Sequence, residues 1–157
     1  MAASDCLGEP VILPEFSTNV LTTLLAALLG ALIGAEREWR RHPGGLRSNA
    51  LVCAASCVFA RIAILHSAEN SGPMLGAVAT GIGFIGAGVI LHNGTEVRGL
   101  STAATFWAVA AIGVATGLME YGMAFSLTAI VFFAHVGLRK LSAWIERVAP
   151  PEDRGPQ

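Results

Sequence analysis

Residues 74–91 read Met-Leu-Gly-Ala-Val-Ala-Thr-Gly-Ile-Gly-Phe-Ile-Gly-Ala-Gly-Val-Ile-Leu, an apolar run without one ionisable side chain. Gly81, Gly83 and Gly86 have the G-x-G-x-x-G spacing of a dinucleotide-binding loop. That loop needs a strand before it, a helix opening on it and an acid about 20 residues later. No Asp occurs between Asp5 and Asp153, and the glycines sit inside the apolar run rather than at its edge. A helix crossing a hydrocarbon core about 30 Å thick needs about 20 apolar residues, and this run suits that purpose.

The rest of the chain agrees. Of its 157 residues 54% are hydrophobic and 13% charged, with a mean hydropathy of +0.61, outside the usual range of soluble domains. Comparable runs occupy residues 16–35, 48–65, 100–118 and 121–138. The expected fold is therefore all-α, an integral membrane bundle of about five transmembrane helices. Residues 1–15 form an extracytoplasmic tail, 16–141 the transmembrane domain and 142–157 a short cytoplasmic tail, expected to be disordered after Arg147. The connections carry turn signals: His-Pro-Gly-Gly after Arg41, Gly-Pro before Met74 and Asn-Gly after His92. The split between the last two helices rests on Glu120 and its neighbours alone.

Charge orients the chain. Arg37, Arg40, Arg41 and Arg47 fall in the first connection, Arg98 in the third, and Arg139, Lys140, Arg147 and Arg154 after the last helix. The N-terminal tail and the second and fourth connections have no Lys or Arg, which puts the N-terminus outside and the C-terminus in the cytoplasm. The first apolar run lacks a basic n-region and is expected to be retained rather than cleaved as a signal peptide. Arg61, within the second helix, is expected to snorkel. Cys53 and Cys57 share a helix face as small packing residues, and Cys6 lies in the tail. No basic-aromatic patch suggests nucleic acid.

Glycine in a membrane helix lets another backbone approach closely. Gly30 and Gly34 form a G-x-x-x-G, and Gly81, Gly83, Gly86 and Gly88 mark the third helix, so these two helices are expected to meet. By the same reading Gly83→Leu should impair assembly or accumulation. At the cytoplasmic end of the bundle, Glu36 and Arg40 have i, i+4 spacing, Ser48 or Asn49 caps the second helix, and Arg98, Ser101, Thr102 and Thr105 recur every three or four residues. Glu36, Arg37, Arg47, Asn49, Arg98, Ser101 and Thr105 form the expected functional polar cluster. It either ties helices together or lines a vestibule.

Four ordered motifs then carry a resemblance: Gly30-Ala-Leu-Ile-Gly-Ala-Glu-Arg37, Gly45-Leu-Arg-Ser-Asn-Ala-Leu-Val52, Gly81-Ile-Gly-Phe-Ile-Gly-Ala-Gly-Val-Ile90 and Val97-Arg-Gly-Leu-Ser-Thr-Ala-Ala-Thr-Phe-Trp107. Over roughly residues 24–141 the chain resembles the MgtC/SapB group of bacterial inner-membrane proteins. The resemblance implies a multi-pass protein associated with growth at low magnesium and, in pathogens, with survival inside macrophages. For well-known members it implies inhibition of the rotary ATP synthase by contact within the membrane; "magnesium transporter" is an inherited label. The sequence departs from the group at Pro73 and Ala77, where an Arg and a Gln are common, and at Ser101, where Thr or Asn is usual. Regulation through the soluble C-terminal domain of longer members is not expected.

Three function classes follow. An enzyme is not expected: no Ser/His/Asp or Cys/His constellation is present, and His135 stands by itself in the last span, expected to pack or snorkel. Nucleotide-driven pumping lacks a G-x-x-x-x-G-K-[ST] loop. Magnesium transport needs hard oxygen ligands, yet no carboxylate falls near the middle of a span. No cofactor is expected apart from magnesium itself, and the metal ligands are unassigned. The remaining reading is a membrane regulator acting on a membrane protein partner, or as a homo-oligomer, with cation transport as the alternative.

Overall fold

The computed structural model describes residues 12–67, 71–93, 96–138 and 147–148; the N-terminal tail with Cys6 and most of the C-terminal tail, including the stretch expected to be disordered, lie outside the described residues. Five helices follow one another: α1 (Ile12–Trp39), α2 (Leu46–Ser67), α3 (Ser71–Val89), α4 (Leu100–Gly117) and α5 (Tyr121–Phe133), the last continuing as a π-helical turn over Ala134–Leu138. Each has the length and apolarity to cross a membrane. Helices serve here because lipid offers backbone N–H and C=O groups no partner, so every segment must satisfy its own.

The third connection is a short antiparallel hairpin, β1 (Leu91–Asn93) with β2 (Glu96–Arg98), in which His92 faces Val97 in register. Gly99 then takes a left-handed conformation and α4 begins. The split between α4 and α5 is real, made by Leu118–Glu120 with Met119 at φ 62°.

α2 and α4 form the centre of the bundle, with α1 against both, α3 against α4 and α2, and α5 mainly against α4. The largest buried cluster joins Ala26, Leu29 and Ile33 of α1 to Cys53 and Cys57 of α2, Val109 and Ile112 of α4, and Ala124 and Val131 of α5. Cys53 and Cys57 are fully buried free thiols, as packing residues should be. The buried hydroxyls of Thr22, Thr116 and Thr128 bond back to carbonyls four residues earlier, so no polar side chain is stranded there.

The close helix contacts are made by glycine, but not between the helices expected. A Cβ at Gly30 would lie 2.5 Å from the Asn49 carbonyl oxygen, and one at Gly34 2.7 Å from that of Gly45, so the G-x-x-x-G of α1 packs on α2 rather than α3. The second such pair, Gly113 and Gly117 of α4, presses on the α2 carbonyls of Cys53 and Cys57. It has the same spacing as Gly30 and Gly34, and the sequence reading passed over it. In α3 only Ile82 and Gly86 are buried, and Gly86 makes ordinary contact with Ala103. Among the described residues, Gly81, Gly83 and Gly88 have no atom of another element within 4 Å of where a side chain would start. Among the described residues these three make no close helix contact, and the expectation that they join α3 to α1 is overturned.

Candidate functional site: an arginine-centred polar cluster

α1 runs a full turn past its apolar stretch, carrying Glu36, Arg37 and Glu38 into helix. Arg41 (φ 57°) and Gly44 (φ 75°) then turn the chain back, aiming the carbonyls of Pro43 and Gly44 at α1. A side chain at Gly44 is excluded twice: its φ lies in the left-handed region, and a Cβ would stand 2.8 Å from Thr102 Cγ2.

Arg37 fills the space so enclosed and is only 2% exposed. Its Nε donates to the carbonyls of Pro43 (3.3 Å) and Gly44 (3.2 Å), Nη2 to Pro43 (2.7 Å) and Thr102 Oγ1 (2.7 Å), and Nη1 to Thr105 Oγ1 (3.0 Å). One rigid fork thus ties α1, the first connection and α4 together, which a planar guanidinium does better than an ammonium. Fully buried Asn49 holds the same loop from α2, its Nδ2 donating to the carbonyls of Gly44 (2.6 Å) and Gly45 (2.9 Å). Asn49 is therefore no N-cap. Glu38 does that work, its Oε2 accepting from the Leu46 N–H at 2.9 Å.

Glu36 pairs with Arg40, as its spacing required, and its Oε2 also lies 3.4 Å from His135 Nδ1. His135 Nε2 is 3.1 Å from Thr105 Oγ1, so this imidazole bonds α4 and stands beside Glu36 of α1, from the π-helical turn that ends α5. Such turns are rare and often fall at functional sites. His135 does not stand alone, as the sequence suggested.

Of the seven expected residues, Glu36, Arg37, Asn49 and Thr105 come together. Arg47, Arg98 and Ser101 are exposed, Ser101 contributing only its carbonyl, which accepts from Thr105 Oγ1 at 2.8 Å. Thr102 and His135 belong to the cluster instead. Thr102 lay on the polar face of α4 in plain view; His135 could be placed only once α5 was docked. At the opposite end of the bundle, Arg61 turns Nε (2.9 Å) and Nη2 (2.6 Å) onto Asn19 Oδ1 of α1 rather than simply reaching for the membrane surface.

Every residue of the cluster lies in a stretch that other proteins share. The model of the MgtC family matches residues 23–144, from mid-α1 past His135. The chain belongs to the MgtC family. Protein MgtC of Salmonella typhimurium is 45% identical over 114 residues, which is 73% of this chain and 49% of that protein. Protein MgtC of Brucella abortus is 41% identical over 112 residues (71% and 47%), and an uncharacterized Synechocystis protein 39% over 111 residues (70% and 47%). The chain spans about half the length of these curated relatives. No solved structure matches it.

In this MgtC-family bundle the cluster is closed rather than open. Among the described residues no group of three or more His, Cys, Asp or Glu is placed to hold a metal ion, and Arg37 spends its donors on protein oxygens. The arrangement locks one end of the bundle. It leaves α3 as the helix with least of its surface covered. Accordingly Gly83→Leu is expected to leave the chain folded, within about 0.5 kcal/mol of wild type. The check is thermal unfolding in detergent micelles. A fall in melting temperature as large as that of a buried substitution would show that Gly83 packs within the chain.

Proposed function

We propose that this protein is a non-enzymatic regulator in the bacterial inner membrane, linked to magnesium homeostasis and to adaptation to low magnesium or intracellular life, and that it acts on a membrane protein partner such as the rotary ATP synthase. The observation that carries this reading is the open space around three glycines of α3, Gly81, Gly83 and Gly88. Gly costs a helix about 1 kcal/mol relative to Ala. Three glycines with no other element near them gain no close packing among the described residues in return. They fit the close approach of a helix from another protein. The Arg37 cluster, with its end of the bundle cytoplasmic, holds together the helices on which α3 packs.

The test has two arms. The purified protein is reconstituted in liposomes containing a magnesium-sensitive dye, and separately with the rotary ATP synthase in vesicles that report ATP-driven proton pumping. No magnesium flux is expected in the first. In the second, pumping should fall in the presence of wild type, persist with folded Gly83→Leu, and be reduced less by folded Glu36→Gln. Saturable magnesium influx that is lost in Glu36→Gln would instead make the protein a transporter.

A further inference from the structure

A groove of about 330 Å³ runs between α3, α4 and α5 on the half of the bundle away from Arg37. Its walls are apolar, among them Leu75 and Ile82 of α3 and Trp107 and Ala111 of α4, with Leu118 at its upper rim. One ionisable side chain lines it, Glu120, in the turn that opens α5. Glu120 is exposed, its carboxylate caps no helix, and it has no ion-pair partner among the described residues. From Trp107 to Leu118 the helix rises about 16 Å, roughly half of a 30 Å hydrocarbon core. The groove therefore has the depth of one leaflet, with Glu120 at headgroup level and Trp107 towards the midplane.

We propose that this groove holds an acyl chain of one phospholipid with a primary-amine headgroup, whose ammonium sits on the Glu120 carboxylate. The depth suits a single lipid tail, and the charge selects the head. A lipid with net negative charge is repelled by the carboxylate. A choline head carries the positive charge but no N–H, so it cannot make the charge-assisted hydrogen bond that an ammonium makes. The proposal does not depend on the regulatory reading above, and failure of either leaves the other standing.

The experiment uses the full chain, purified in detergent and equilibrated with phosphatidylethanolamine, phosphatidylcholine or phosphatidylglycerol of matched acyl chains, with bound lipid counted by native mass spectrometry. Wild type is expected to retain one ethanolamine lipid about two- to fivefold more than the choline lipid, the range of an exposed ion pair. Glu120→Gln should remove that preference while still retaining lipid, and Glu120→Asp should restore it. Ala111→Trp, filling the groove, should lower retention of all three, with helicity unchanged by circular dichroism. Equal retention of ethanolamine and choline lipids by wild type would overturn the proposal, as would a preference that survives in Glu120→Gln. So would a lipid-free dimer, in which a second copy occupies the groove.

Discussion

Replacing Gly113 with Leu is expected to abolish accumulation of the folded chain in membranes. Any Cβ at this position overlaps the Cys53 carbonyl oxygen and comes within 2.9 Å of Ser56 Cβ, so α4 must move away from α2. These are the two central helices, and the largest buried cluster, including Val109, Ile112, Cys53 and Cys57, is divided if they part. A backbone clash cannot be relieved by turning a side chain, unlike contact with the far end of a flexible residue. The cost is expected to exceed about 4 kcal/mol, at the far end of what single substitutions do. Membrane-fraction yield and the size-exclusion profile of Gly113→Leu beside Gly83→Leu measure it directly. Equal yields of the two would mean that α2 and α4 do not meet as described.

Arg37→Met is the second large effect, expected at about 2–4 kcal/mol of lost stability. The substitution keeps an unbranched side chain but removes the five bonds that Arg37 donates to the Pro43 and Gly44 carbonyls, Thr102 and Thr105. The penalty is the loss of hydrogen bonds from a charged donor, each worth about 1.5–3 kcal/mol, offset in part because Asn49 still reaches the Gly44 carbonyl and Thr102 that of Pro43. Arg37→Lys should recover only part of the loss, since one ammonium cannot reach both the loop carbonyls and the two hydroxyls of α4. Thermal unfolding of the three proteins in one detergent gives the ranking, wild type above Lys above Met. If Arg37→Met matched wild type, the cluster would be a solvated feature and not a lock.

The two effects arise from different physics at the two ends of α2. Near Asn49 directed bonds to a turned-back loop add to the backbone contacts of Gly30 and Gly34; towards Ala60 the backbone contacts are those of Gly113 and Gly117. Glu36 occupies a middle position. Its Arg40 pair is a local helical one, while its Oε2 lies 3.4 Å from His135 Nδ1, an approach that becomes an ion pair only when the imidazole is protonated.

Much of this was legible in the chain. The five spans and their limits to within a few residues followed from runs of apolar residues interrupted by turn residues, because a lipid environment allows few other structures. Glu36 with Arg40 followed from helical spacing. The polar positions Arg37, Asn49 and Thr105 were visible as polar residues at the end of apolar helices.

What the sequence could not supply was which helix faces which. Gly30 and Gly34 announce that some backbone comes close without saying whose, and it proved to be α2 and not α3. Gly81, Gly83 and Gly88 send the same signal and meet no other element among the described residues. Local patterns repeat with the period of a single helix and therefore determined the elements, their number and their polar ends. The assembly of Arg37, Thr102, Thr105 and His135 depends on the relative rotation of three helices, which no one helix encodes, and only the tertiary structure decided it.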